Sequence, residues 1–291
     1  MINSLKNYRQ IDIVFVDCMN LLARNYHGIS NIQYGGKNMG AFFGTARFIM
    51  KVWKEIHTHN IVFIWEGKNS WRKQKYPFYK SNRTYDTQND FYECVRDVQE
   101  VLPLFGISQV SIEGFEADDT VGYLLDKNRG KNCVIVSNDW DWWAYLNDSV
   151  QVWYRNGITS RETLSVMFER KYGVANFDVT RIGMFKVFTG DKSDGISGIP
   201  RFPRKFAAYL AMRTSSVDGA MLLLKRLNVK WFKKASLNYT VLKQNYELIH
   251  LNKLVHVDVE KYISIEKGVY NKEKLIKEFN KRGMVTLSDQ L

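Results

Sequence analysis

Four short strand-like runs constrain this chain more than any other feature. Ile11–Val16, Ile61–Trp65, Ser108–Ile112 and Cys133–Ser137 are five or six residues long, the length of a buried strand. Segments of helical period separate them. Phe42, Ala46, Ile49, Trp53 and Ile56 recur at spacings of four and three, and Phe91, Val95, Val98 and Leu102 form a second stripe that Pro103 stops. Glu116–Asp126 reads as a helix, a short Trp-rich helix follows the fourth run, and Val150–Tyr154 is a candidate fifth strand. Strands alternating with helices predict an α/β fold with a mostly parallel sheet. Beyond about Thr180 the strand signal fades and Lys, Leu and aromatic residues predict a mostly helical region. A boundary is expected near Thr189, dividing the chain into units 1–189 and 190–291. Residues 212–291 carry no motif, and Lys253–Asn271 reads as helix or a small appended element.

The acids fall at the ends of the runs. Asp17 follows the first, Glu66 the second, Glu116, Asp118 and Asp119 the third, and Asp139 and Asp141 the fourth; Asp191 and Asp194 open the next segment. Ligands of open α/β sheets bind beyond the carboxyl ends of the strands. These nine carboxylates are therefore expected to converge on one edge. Clustered carboxylates repel and raise one another's pKa, so they need a counter-charge. An all-oxygen donor set without His or Cys suits magnesium or manganese rather than zinc. Two such ions, ~3.5–4 Å apart, suit phosphodiester hydrolysis. Taken singly, each acid has a plainer reading: a strand-end Asp commonly caps a turn or helix, and Glu116, Asp118 and Asp119 suit a helix N-terminus. Four acidic strand ends together are poorly explained that way.

The chain has 42 Lys and Arg against 30 Asp and Glu, a net charge of +12, so the surroundings of the acids are strongly basic. That surplus favours a polyanionic partner. Gly67–Tyr85 concentrates it: Lys68, Arg72, Lys73, Lys75, Lys80 and Arg83 occur with no acid and with Trp71, Tyr76, Phe78, Tyr79 and Tyr85 interleaved. A solvated loop needs no aromatics, whereas a single-stranded backbone with stacked bases uses both. Trp140, Trp142 and Trp143 read as packing. The five histidines show no ligand spacing and receive no catalytic role. No run approaches the ~18 apolar residues of a membrane helix. Met1–Gln10 is polar and lacks a signal-peptide core, and Cys18, Cys94 and Cys133 form no zinc pattern. A cytoplasmic protein in a reducing compartment is expected.

Taken in order, the motifs resemble those of the 5′ nuclease family, the flap endonucleases and 5′→3′ exonucleases, especially bacteriophage members including the phage enzymes named ribonuclease H. Val16-Asp17 with Asn20-Leu21 is similar to the first Asp motif, and Glu116-Ala117-Asp118-Asp119 to the E-A-D-D motif. Ser137-Asn138-Asp139-Trp140-Asp141 resembles S-x-D-x-D, and Gly190-Asp191-Lys192-Ser193-Asp194 resembles G-D-x-x-D. Trp71-Arg72-Lys73 and Tyr79-Lys80-Ser81-Asn82-Arg83 look like the basic segment ending in Y-K-x-N-R. The resemblance runs from about Ile11 to about Ala207.

It implies a PIN-like nuclease domain, a basic arch over about 67–100, and a helix–three-turn–helix that grips duplex DNA. It implies Mg²⁺-dependent (or Mn²⁺-dependent) cleavage, by two or more ions, of 5′ flaps, nicks or RNA-primer ends in branched DNA or RNA–DNA hybrids. The implied metal residues are Asp17, Glu66, Glu116, Asp118, Asp119, Asp139, Asp141, Asp191 and Asp194, with Asp119 and Asp139 indispensable. Lys80 and Arg83 are implied to contact the scissile phosphate, and Tyr79 to stack on a base. The other implied nucleic-acid contacts are Arg72, Lys73, Lys75, Lys192, Arg201, Arg204 and Lys205. A monomer is implied, in the host cytoplasm if phage-encoded, with single-strand-binding protein or replisome components as compatible partners.

Two departures stand out. Glu66 occupies a position where the family commonly has Asp. Gly198-Ile199-Pro200-Arg201-Phe202-Pro203 replaces a G-V-x-G-I-G hairpin, so two phosphate-approaching glycines become Arg201 and Pro203. Side-chain contacts from Arg201, Arg204 and Lys205 are expected in place of the backbone phosphate and potassium site. The rival readings are a PIN-type endoribonuclease, an inactive replication-fork binding protein and a phosphohydrolase for small esters.

Overall fold

The computed structural model describes residues 10–83, 90–251, 254 and 257–291. The elements run β1 (Ile13–Asp17), α1 (Cys18–Gly28), β2 (Gln33–Tyr34), β3 (Lys37–Asn38), α2 (Gly40–Ile56), β4 (Ile61–Ile64), α3 (Trp71–Lys75) and α4 (Asp90–Val101). Then follow β5 (Ser108–Ile112), α5 (Ala117–Lys127), β6 (Cys133–Val136), β7 (Val150–Tyr154), β8 (Gly157–Thr159), α6 (Arg161–Tyr172) and α7 (Ile182–Thr189). The remainder is β9 (Gly190–Asp191), β10 (Ile196–Ser197), α8 (Arg204–Ala211), α9 (Val217–Arg226), α10 (Trp231–Leu237), α11 (Tyr239–Ile249), β11 (Ile263–Glu266), α12 (Lys272–Lys281) and α13 (Val285–Ser288).

Seven strands form the central sheet in the order β11-β5-β4-β1-β6-β7-β8. The five strands from β5 to β7 are mutually parallel, and β11 and β8 add antiparallel edges. All five residues of β1 are buried, as a central parallel strand covered on both faces requires. Its side chains alternate between two cores. Ile13 and Phe15 join the layer built with α5 to α11, whereas Val14 and Val16 join the layer built with α1, α2, α4 and α12. The chain winds from β1 outward through β4 and β5, then returns to place β6 on the other side of β1. That reversal opens a crevice between the ends of β1 and β6, the place where such sheets bind ligands.

The predicted helical region holds for α8 to α11, but the chain then returns to the sheet. β11 pairs with β5 in the register Ile263 with Ile112, and α12 buries Leu275 and Phe279 in the second core layer. The expected division at residue 189 thus does not separate two cores: residues 263–291 pack with the first unit, and the first core layer runs from Ile13 to Leu242. β8 and β11 are strands that the apolar-run pattern did not predict. Trp142 and Trp143 are buried, as expected for packing, and the three cysteines are buried and free. Among the described residues no helix is long and apolar enough to cross a membrane. Tyr85, Lys253 and His256 of the sequence reading, with most of Met1–Gln10, lie outside the described residues.

Candidate active site

Each strand end delivers its acid to the crevice, held by a local turn. Asp17 closes β1 and caps α1: one oxygen accepts the Asn20 N–H (3.1 Å) and the other the Ser137 hydroxyl (2.8 Å). The second bond ties the ends of β1 and β6 together across the crevice. Glu66, just past β4, accepts the Ala117 N–H (3.0 Å) and so caps α5 from outside. Asp139 caps the 3₁₀ turn Trp140–Tyr145 by accepting the Asp141 N–H (3.0 Å) and stays exposed. Asp191 accepts both the Ser193 N–H (2.9 Å) and its hydroxyl (2.5 Å). The plain capping roles are therefore real, and the same caps aim these carboxylates into one place.

On the α7 side, one carboxylate oxygen each from Asp141, Asp191 and Asp194 lies within 4.8 Å of the others. Lys186 of α7 bridges this group. Its ammonium donates to Asp141 and lies 2.7 Å from Asp191. Burial pushes Asp141 up to about 7 despite Lys186, because Asp139 and Asp191 add like charge. Burial opposes ionisation of Asp191 too, but Lys186 and Ser193 outweigh it and hold this group below its ordinary range. Burial would lower Lys186, yet Asp141, Asp191 and Asp139 raise it. Nothing in the sequence pattern marked Lys186. It is one cation in an apolar helix, and its partners are distant in the chain.

On the other side stand Asp17, Glu66, Glu116 and Asp118. Burial pushes Asp17 up to about 7, opposed by Ser137 and Asn20 and assisted by Glu66 and Asp139. Asp118 is raised well above the usual carboxylate range, again chiefly by burial. Glu116 is lowered: burial pushes it up, but Lys80 and Arg72 overcome that. Lys80 donates to Glu116 (3.0 Å) and Arg83 to Asp194 (2.6 Å), so both predicted phosphate contacts lie among the acids. Lys80 takes a left-handed backbone (φ 54°), and its N–H donates to the Asp194 carbonyl (2.9 Å), pinning the segment over the crevice.

Three predicted roles need correction. Arg72 is 1% exposed and does not face solvent. Its guanidinium forks onto Asp119 (2.5 and 2.8 Å), while its Nε–H donates to the Leu248 carbonyl of α11 (2.8 Å). A buried fork with these partners is not a nucleic-acid contact. Asp119 is also 1% exposed and spends both oxygens on Arg72, besides accepting the Glu116 N–H (3.3 Å). In this arrangement it positions the start of α5, with both oxygens engaged by Arg72. Tyr79 is 3% exposed, and its hydroxyl donates to Glu116 (2.8 Å), with Asp194 at 3.2 Å. Its ring is not available to a base. The aromatic that faces solvent is its neighbour Phe78, 41% exposed.

Lys73, Lys75, Lys192, Arg201, Arg204 and Lys205 are exposed, though Lys75 pairs with Glu247 (2.5 Å). At the hairpin, the Phe202 N–H donates to the Ile199 carbonyl (3.1 Å), closing a turn with Pro200 second and Arg201 third. Arg201 has φ 55°, a conformation that favours glycine, which explains why a glycine suits this position. Pro203 stands before α8 at its N-cap, where its missing N–H leaves no helical bond unmade. Gly198 cannot be replaced, since a Cβ there would lie 2.2 Å from the Thr189 carbonyl carbon.

This fold and site have known counterparts. The structure superposes on the zinc-bound T5 5′-exonuclease with a TM-score of 0.66 at 20% identity, covering 84% of this chain and 90% of that one. A bacteriophage T5 flap endonuclease variant, solved with DNA and metal ions, gives 0.65 at 19% identity over 96% and 99% of the two chains. In sequence, the chain is 28% identical to the 5′-3′ exonuclease of Buchnera aphidicola subsp. Schizaphis graminum over 242 residues, 81% of each protein. It is 27% identical to DNA polymerase I of Borreliella burgdorferi over 75% of this chain, and spans only 24% of that larger relative. The family model for the 5′-3′ exonuclease N-terminal resolvase-like domain matches residues 12–173, more than half of the chain. With acids from four strand ends gathered at the switch point of its sheet, the chain belongs to the 5′-3′ exonuclease family.

Proposed function

We propose that this protein cuts phosphodiester bonds near 5′ ends in branched or nicked duplex DNA, as a 5′→3′ exonuclease and flap endonuclease. Its substrates include RNA-primer ends on DNA. The observation that carries this reading is the convergence of strand-end carboxylates with Lys80 and Arg83 lying among them. A small-ester phosphohydrolase needs no basic segment over its site, and a PIN-type endoribonuclease needs no basic hairpin after Asp194.

The donor set fits divalent ions. It is all oxygen, and Asp17, Asp118, Asp141 and Asp194 are all raised, chiefly by burial and further by neighbouring carboxylates, so a bound cation would offset the cost of ionising them. Asp17, Glu66, Glu116 and Asp118 form one ligand group, and Asp139, Asp141, Asp191 and Asp194 the other. Bound magnesium or manganese supplies Lewis acidity toward phosphate and makes water a nucleophile at neutral pH. The protein's own groups do the rest. Lys80 and Arg83 set positive charge where negative charge builds in the transition state. Tyr79 orients Glu116 and Asp194 through its hydroxyl. The exposed Phe78 offers a face to a base of the displaced strand. Lys73, Lys75 and Lys192 attract backbone, while Arg201, Arg204 and Lys205 grip duplex phosphates by side chain. The protein acts as a soluble monomer in the cytoplasm.

The test is a 5′-labelled flap duplex incubated with and without Mg²⁺, beside Asp139→Asn. Metal-dependent cutting near the junction is expected, reduced more than about 100-fold in the variant with binding retained. Binding without cutting under every divalent ion tried would make the protein a fork-binding module instead.

A further inference from the structure

A long acid-free stretch that the site does not use is residues 219–246, with Lys225, Arg226, Lys230, Lys233, Lys234 and Lys243 and not one Asp or Glu. It covers most of α9, then α10 and most of α11. Lys243 is neutralised by Asp218 (2.6 Å). Among the described residues, none of the other five has a carboxylate partner. Lys225, Arg226, Lys230 and Lys233 are exposed; Lys225 and Arg226 close α9, Lys230 stands just before the short α10 and Lys233 lies within it. Like charges crowded this way repel, which is a cost the fold carries without internal compensation.

The cations also connect to the hairpin. The Trp231 ring of α10 meets Phe202, with centroids 5.8 Å apart, and Lys230 and Lys234 lie 5.0 and 5.8 Å from the Trp231 centroid. Phe202 belongs to the turn that presents Arg201. Through this contact α10 packs directly on the turn that carries Arg201, just before Arg204 opens α8. Trp231 is partly covered by these neighbours and offers no open platform for stacking bases. Exposed cations without such a platform suit the phosphate backbone of a duplex.

We propose that the end of α9 and α10 form a second duplex-binding surface, which lengthens the tract of DNA held beyond the hairpin. This rests on the nuclease reading for its biological substrate, and on charge and placement for its chemistry. The surface contributes affinity and salt dependence but no sequence preference, and it leaves the cleavage position unchanged.

The experiment measures binding by anisotropy in Ca²⁺ over a range of KCl. The probes are a 5′-flap DNA with long duplex arms and the same flap with arms trimmed to about one helical turn. The protein is compared with the triple variant Lys225→Gln/Lys230→Gln/Lys233→Gln and with the three Lys→Arg replacements. On long arms the Gln variant should lose about tenfold in affinity, and the slope of log K against log salt should fall by roughly 0.9 per lost phosphate contact, about 2–3 in all. On trimmed arms the loss should shrink, and the Arg variant should match the parent. An unchanged slope on long arms, or an equal loss on both probes, overturns the proposal. Cleavage of the trimmed flap in Mg²⁺ is read separately: its absence in the parent protein sinks the nuclease reading, while the binding slopes still decide the surface.

Discussion

Lys186 and Arg72 both hold acids together, by different means. Lys186 supplies one movable charge to Asp141 and Asp191. Replacing it by Met should destabilise the metal-free protein by about 3 kcal/mol, since two crowded carboxylates lose their partner. Thermal melts should show most of that deficit recovered by Mg²⁺; a melt identical to the parent's would mean the bridge contributes nothing. Arg72 is fixed by three hydrogen bonds to residues of two helices, so Arg72→Met should cost about 3–5 kcal/mol in denaturant unfolding. Lysine should not rescue it, lacking the planar fork. Arg201 offers a test of opposed effects. Arg201→Gly relieves a left-handed backbone and should stabilise by about 1 kcal/mol, yet weaken flap binding several-fold. The acids themselves were legible because each follows an apolar run. The fate of the cations was not: Arg72 sits in a run of exposed lysines and looks like them. Only the approach of α5 and α11, 47 and 176 residues away, buries it.

At the scale of elements, the same contrast holds. β1, β4 and β6 are nearly continuous apolar runs because both faces are covered, and such runs are readable, whereas β5, Ser-Gln-Val-Ser-Ile, is marked by its Val and Ile. β11 is an edge strand of four residues, Ile-Ser-Ile-Glu, in surroundings of mixed charge. Its period of two is too short to stand out, and its pairing with β5 is a long-range fact. The anchor of this returning segment is α12. Phe279 is fully buried and meets Phe42 and Phe105 at centroid distances of 6.0 and 5.8 Å. Phe279→Ala should therefore cost about 3–5 kcal/mol in chemical denaturation, comparable with a central core residue. A cost below about 1 kcal/mol would show α12 to be a loosely attached appendage.

For the whole molecule, the crowded acids couple stability to pH. Asp17 and Asp141 rise from an ordinary 3.8 to about 7 on folding. The folded state then holds extra protons between those values, so ionising the pair penalises folding. Their contribution is most favourable below about pH 4 and is lost as pH rises through about 7. Metal-free melting temperatures should carry this decline between pH 5 and 8, and added Mg²⁺ should raise the melt more at pH 8, where no proton competes for the oxygens. A Mg²⁺ effect larger at pH 5 would contradict this assignment of the two groups.

The pairing of β5 with β11 also sets an order in time. β5 is made about 150 residues before the strand that covers its edge. At about 5–20 residues per second on the ribosome, that edge waits roughly 8–30 s for its neighbour. Asp191, Asp194 and the α11 carbonyl that holds Arg72 also emerge late. A nascent chain therefore passes through a period in which its first strands are present, its sheet is open, and its acids are still scattered. The acid cluster is therefore complete only after Asp194 and α11 have been made.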